Sequence, residues 1–107
     1  MMHLVHLELA PLSALAVLPP DLRSVLCRYA APHLLEHISV HTSAKPYPVI
    51  GLYLQTSSPQ KAEVAARNIW AAAKQEPTLA GWCLRRAQVP PIPPSMQALG
   101  DPDETED

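Results

Sequence analysis

Apolar and polar residues alternate along four short segments, and this period of two limits the fold more than any other property of the sequence. The first segment is residues 3–9, where Val5, Leu7 and Leu9 share one side. The same alternation returns over residues 34–42, 49–55 and 82–89. Because successive side chains of a strand point to opposite faces of its sheet, each segment is predicted to be a half-buried β-strand.

Two helices are predicted between these strands. The first starts near residues 19–21, ends before Pro32, and carries one apolar stripe at helical spacing: Leu22, Val25, Leu26 and Tyr29. The second starts where Ser58, a hydroxyl N-cap, precedes Pro59 at the first helical position. Its buried stripe is rich in alanine: Ala62, Ala65, Ala66, Ile69, Trp70 and Ala73. Residues 12–18 fit either a short helical turn or an ordered loop.

The order strand, helix, strand, strand, helix, strand predicts an α+β fold. We expect a ferredoxin-like βαββαβ sandwich, a four-stranded antiparallel sheet with two helices on one face. Right-handed crossovers place the first and third strands at the centre of the sheet. The 107 residues suffice for one domain, which is predicted over residues 1–89. Residues 90–107 are rich in proline and acidic residues and are predicted to form a disordered tail.

Charge and composition exclude several classes of function. Residues 1–100 hold eight basic and five acidic side chains, and this net charge of +3 is too small for a nucleic-acid binder. No apolar stretch reaches the ~20 residues of a transmembrane helix, and the first ten residues lack the basic start of a secretory signal. Two cysteines, Cys27 and Cys83, fit a reducing compartment. We therefore expect a cytoplasmic protein with neither nucleic acid nor membrane as a partner.

If both helices cover one side of the sheet, the other side is left open. The alternation predicts that this side carries a mixture of histidine, tyrosine, valine and a few charged residues: His6, Glu8, His37, His41, Val49, Tyr53 and Arg85. Such a mixture, poor in lysine, is more typical of an interface than of a solvated surface. We expect it to bind a partner protein or a second copy of the chain, and an ordinary solvated face is the alternative.

Metal and cofactor chemistry is not predicted. His33 to His37 spell H-x-x-E-H, the order found in inverted zinc peptidases, but that site needs both histidines on one helix face. In a strand, His37 and His41 lie ~13 Å apart and do not share a metal ion. The glycines are isolated and form no phosphate loop. Cys27 is expected to fill the core beside the first helix.

Two functional hypotheses follow. The first is a small non-catalytic protein-interaction or regulatory domain that acts through the open face, with the proline-rich tail as a candidate docking segment. The alternative is a small cofactor-free dimeric enzyme, an isomerase or monooxygenase acting on a hydrophobic substrate. His6, His37 or His41, together with Tyr53, would then supply acid–base groups. An enzyme needs an enclosed cavity of roughly 300 Å³ or more, and an alanine-rich helix close to the sheet favours the first hypothesis.

Overall fold

The computed structural model describes residues 1–90, so the tail predicted over residues 90–107 lies outside the described residues except for Pro90. The elements along the chain are β1 (Met2–Pro11), α1 (Leu22–Cys27), β2 (Leu35–His41), β3 (Val49–Gln55), α2 (Pro59–Ala73) and β4 (Trp82–Gln88). A 3₁₀ turn over Pro77–Leu79, which the sequence did not indicate, precedes β4. No helix among these elements is long and apolar enough to cross a bilayer.

The strands form one antiparallel sheet in the order β2–β3–β1–β4, and the two helices pack on it. The predicted α+β class and βαββαβ element order are therefore confirmed. The first and third strands lie at the centre, as right-handed crossovers require. Residues 12–18 form a loop between β1 and α1.

The core lies between the sheet and the helices. Alternate residues of the two central strands are fully buried: Val5, Leu7 and Leu9 of β1, and Ile50, Leu52 and Leu54 of β3. The alanines of α2 at positions 62, 66 and 73 are also fully buried, and these small side chains let the helix approach the sheet closely. Each large apolar side chain buried in this way contributes about 1.5–3 kcal/mol.

The two helices differ in how their ends are held. Ser58 is extended and its hydroxyl accepts a hydrogen bond of 3.1 Å from the backbone N–H of Lys61, which is the predicted N-cap of α2. Helix α1 has only six residues and no side-chain cap, so it is shorter than predicted. Tyr29 lies beyond its end, and the Tyr29 hydroxyl donates a hydrogen bond to the Glu76 carboxylate that follows α2.

Two sheet irregularities change which side chains face the helices. The β1–β4 ladder shifts register between Glu8 and Leu9, and the extra residue reverses the alternation along β4. An alternation over residues 82–89 that begins with Trp82 inward puts Ala87 on the outward side. This assignment is wrong, because Ala87 pairs with Leu7 and is buried. A second shift, at residues 35–37, lies in the β2–β3 ladder.

Cys27, the last residue of α1, was expected to fill the core. This expectation is wrong, because the Cys27 side chain is exposed.

Candidate interaction surface

The side of the sheet away from the helices carries side chains from all four strands, and we call it the open sheet face. The pairing of β2, β3 and β1 aligns these side chains in three rows: His37, Tyr53 and Leu4; Ser39, Gly51 and His6; His41, Val49 and Glu8. Strand β4 extends the second row with Gln88 and the third with Arg86. The three rows form one continuous surface about four strands wide.

The first row is an aromatic pair beside a leucine. The rings of His37 and Tyr53 lie with centroids 5.3 Å apart and planes at 54°. A tilted arrangement at this distance is favourable for aromatic rings. His37 is exposed, whereas Tyr53 and Leu4 are half-buried. This row therefore presents apolar area to solvent at one end of the face.

In the second row, neighbouring side chains fill the space above Gly51. A Cβ on Gly51 would lie 2.5 Å from the Ser39 hydroxyl oxygen and 3.1 Å from Cδ1 of Leu4, so these side chains occupy the space above the glycine. The Ser39 hydroxyl also lies 3.2 Å from Nε2 of His41, which is hydrogen-bond distance. Gly51 thus lets the side chains of Ser39 and Leu4 meet over the middle of the sheet.

A shallow groove runs beside the second and third rows. It has a volume of about 360 Å³ and is lined by His6, His41, Ser43, Ala44 and Val49. Partial burial holds the pKa of His6 below its ordinary value of 6.5, and the nearby charge of His41 lowers the pKa further. The His6 imidazole is therefore neutral at neutral pH.

The charged end of the face is internally paired. The Glu8 carboxylate accepts a hydrogen bond from Arg85 at 3.4 Å and lies 3.9 Å from Arg86. The Arg85 guanidinium also lies 4.7 Å from the centre of the Tyr47 ring, in a cation–π contact. The register shift beside Glu8 brings both arginines to the same carboxylate. Arg86 and Tyr47 were not among the predicted site residues, because their contacts depend on strand pairing and not on local sequence.

The seven residues predicted for this surface all lie on the open sheet face or at its charged end. The four residues named for the enzyme hypothesis, His6, His37, His41 and Tyr53, are divided between two places. His37 contacts Tyr53, whereas His6 shares its groove with His41. The H-x-x-E-H residues form no helix, since His33 lies in a turn and Glu36 and His37 lie in β2. Among residues 1–90, no cluster of three or more His, Cys, Asp or Glu side chains is arranged to hold a metal ion.

A second exposed apolar feature lies away from the open sheet face, in the loop between β1 and α1. Leu12, Leu15 and Val17 are 60%, 89% and 78% exposed. Residues 12–18 have no clear helix or strand periodicity in the sequence, so the exposure of these side chains could not be inferred from it. Three side chains present too little area for a stable interface by themselves.

Comparison with known proteins does not assign a function to the chain. No protein-family model, no curated protein and no solved structure matches the chain. The side chains on this face, their contacts and their charge are therefore the observations that bear on function.

Proposed function

We propose that this chain is a small protein-interaction domain that acts through its open sheet face, binding a partner protein or a second copy of itself. One observation carries this proposal: one side of the sheet has no helix over it in the described part of the chain, yet its rows are filled by apolar, aromatic and imidazole side chains.

The two sides of the molecule differ in the way that distinguishes an interface from a solvated surface. None of the four described strands contains a lysine, whereas α2 carries Lys61 and Arg67 exposed on its outer side. Interface cores are depleted in lysine and glutamate and enriched in aromatic residues. On the open sheet face the one carboxylate of the three rows, Glu8, is already paired with two arginines. This composition supports an occupied face.

The strand order supports a finer description of the fold. A βαββαβ chain with strand order β2–β3–β1–β4 and both helices on one side is the arrangement of the ferredoxin-like sandwich, and we propose that fold here. In this architecture the sheet has one face buried under helices and one face available to a partner. The fold by itself does not indicate the function, because one fold serves many functions.

The enzyme hypothesis receives less support from the packing. Fully buried leucines fill the layer between sheet and helices, where an enclosed substrate cavity would be needed: Leu7, Leu9, Leu26, Leu52 and Leu54. A groove of about 410 Å³ lies at the surface, between the start of α1 and the edge strand β2. The groove that contains His6 does not include Tyr53 or His37. An acid–base role for these residues together is therefore not favoured.

The test is a charge placed on the open sheet face, with a matched charge on the opposite side. Tyr53→Glu puts a carboxylate in the first row, where an unpaired buried charge costs several kcal/mol in a complex. Val64→Glu is the control, because Val64 is 58% exposed on α2. We expect both variants to keep the wild-type circular dichroism spectrum.

Light scattering of the purified chain then measures association with a second copy, and chemical cross-linking in host extract measures association with a partner protein. The proposal predicts that wild type and Val64→Glu form the same complex and that Tyr53→Glu does not. A complex lost in Val64→Glu but kept in Tyr53→Glu would assign the interaction to the helix side. If the wild-type chain forms no complex in either measurement, the open sheet face is an ordinary solvated surface and the proposal is wrong.

A further inference from the structure

We infer that the groove on the open sheet face binds a divalent transition-metal ion such as Zn²⁺, with the imidazoles of His6 and His41 as its two protein ligands. The inference does not depend on the proposed function, because it concerns an ion and not a partner protein. Three observations carry it: two imidazoles share one groove, a hydrogen bond orients one of them, and no carboxylate is among the residues that line the groove.

The two histidines come from different strands and line the same groove. His6 lies on β1 and His41 on β2, at the edge of the sheet. The groove has a volume of about 360 Å³, and its other lining residues are Ser43, Ala44 and Val49. Because strand pairing across β3 brings the two histidines to one place, their spacing along the chain does not indicate the pair.

The two rings approach each other over the middle of the sheet. Nε2 of His41 lies 3.2 Å from the Ser39 hydroxyl oxygen. That oxygen lies 2.5 Å, and Cδ2 of His6 lies 3.8 Å, from the position that a Cβ on Gly51 would occupy. Both rings therefore reach toward the same point of β3, one from β2 and the other from β1. The effect of His41 on the pKa of His6 agrees with this closeness, because the interaction between two charges falls with distance.

The state of the two rings suits a metal ion. A histidine must be neutral to bind a metal, and the lowered pKa of His6 keeps its imidazole neutral at neutral pH. In His41, a hydrogen bond in which Nε2–H donates to the Ser39 hydroxyl oxygen leaves the lone pair of Nδ1 for the metal. A hydrogen bond from the ring nitrogen that does not bind the metal is the usual way in which a protein orients a metal-binding histidine. Ser39 is therefore a positioning residue for His41.

The lining of the groove selects the kind of ion. It contains no carboxylate, and Glu8, the carboxylate of the three rows, is bound by Arg85 and Arg86. Mg²⁺ and Ca²⁺ require oxygen ligands, whereas imidazole nitrogen is a preferred ligand of zinc, copper and nickel. Two protein ligands leave the remaining positions of a tetrahedral zinc ion to water, so we expect reversible binding and not a closed structural site.

Titration of the full chain with Zn²⁺ at pH 7.5 tests the inference, with the carbon-bound imidazole protons followed by nuclear magnetic resonance. We expect saturable shifts of the His6 and His41 resonances with Zn²⁺, and none with Mg²⁺ at the same concentration. His6→Gln and His41→Gln should each weaken Zn²⁺ binding by at least about tenfold. His33→Gln is the matched control, because His33 is exposed in the turn before β2 and does not line the groove. Circular dichroism verifies that each variant keeps the wild-type fold.

The outcomes separate this inference from the proposed function. Equal Zn²⁺ affinity in the wild-type chain and in either groove variant would overturn the inference, as would Zn²⁺ shifts at His33 as large as those at His6. Saturation by Mg²⁺ at the same concentration would also overturn it. None of these results bears on the proposed function, which is tested by the complex that Tyr53→Glu should lose. A chain that binds Zn²⁺ through His6 and His41, and whose Tyr53→Glu variant keeps its complex, would support the inference and contradict the proposed function.

Discussion

Gly51→Ala is the substitution whose effect follows most directly from the geometry of the open sheet face. The new Cβ would lie 2.5 Å from the Ser39 hydroxyl oxygen, a distance that carbon and oxygen do not tolerate without movement. The Ser39 hydroxyl must rotate away, and its hydrogen bond with His41 is then lost. Cδ1 of Leu4, at 3.1 Å, must also shift slightly.

The expected size of the effect is a balance of three contributions. Overpacking costs about 1–3 kcal/mol, and the lost hydrogen bond costs about 0.5–1.5 kcal/mol. Alanine also restricts the unfolded chain, which stabilises the protein by about 0.4–1 kcal/mol where the backbone conformation suits it. Gly51 has no positive φ, so this gain applies. We expect Gly51→Ala to lower the free energy of unfolding by about 2 kcal/mol, within a range of roughly 0.5–4 kcal/mol.

A double-mutant cycle measured by urea unfolding, at one protein concentration, isolates the clash. Ser39→Ala removes the hydroxyl oxygen that lies nearest to the new Cβ. The double variant Gly51→Ala, Ser39→Ala should therefore be more stable than the sum of the single effects by about 1 kcal/mol. Additive effects, or a Gly51→Ala variant as stable as wild type, would refute the packing described for the second row.

Three further predictions concern the core, the C-terminal residues and pH. Leu52→Ala, at a fully buried position, should cost about 2–5 kcal/mol in chemical denaturation, and Val49→Ala on the open sheet face less than about 1; the reverse order would mean that the faces of β3 are exchanged. A chain ending at Pro90 should melt within about 5 °C of the full chain, since the described sheet and core lie within residues 1–90; a larger loss would show that the C-terminal residues stabilise the domain. Because burial holds the pKa of His6 below 6.5, the unfolded chain binds its proton first, so the free energy of unfolding should fall as pH drops from 6.5 and level off once folded His6 is protonated. His6→Gln should lack this component, and an identical pH dependence in urea unfolding of the variant would contradict the assignment.

The parts of the fold that were predictable from sequence depend on residues close together in the chain. A period of two in β1 and β3 identified Val5 and Leu52 as inward residues, and both are fully buried. Ser58 before Pro59 likewise identified the start of α2, because an N-cap and the N–H that it binds are only three residues apart in the chain. The order of these elements then sufficed for the strand order of the sheet.

The remaining features depend on pairing between distant strands, which local patterns do not report. Ala87 was assigned to the wrong face because a bulge opposite Glu8 adds one residue to β4. The same bulge brings Arg86 to Glu8, and this contact was not foreseen. In the sequence, Gly51 is one member of the alternating segment 49–55. Its role in letting Ser39 close over the sheet depends on the register between β2 and β3.

The central claim is that the open sheet face is the surface through which this chain associates. The most direct test measures intermolecular nuclear Overhauser effects in an equimolar mixture of isotope-labelled and unlabelled chains. Val49 and Leu4 on the face, and Val64 on α2, supply methyl reporters on opposite sides of the molecule. At pH 7.5 we predict intermolecular contacts from Val49 and Leu4, including contacts to the Tyr53 ring, and none from Val64. Intermolecular contacts confined to Val64 or to the β1–α1 loop, or their absence from every methyl group in a mixture that ultracentrifugation shows to be dimeric, would contradict the account.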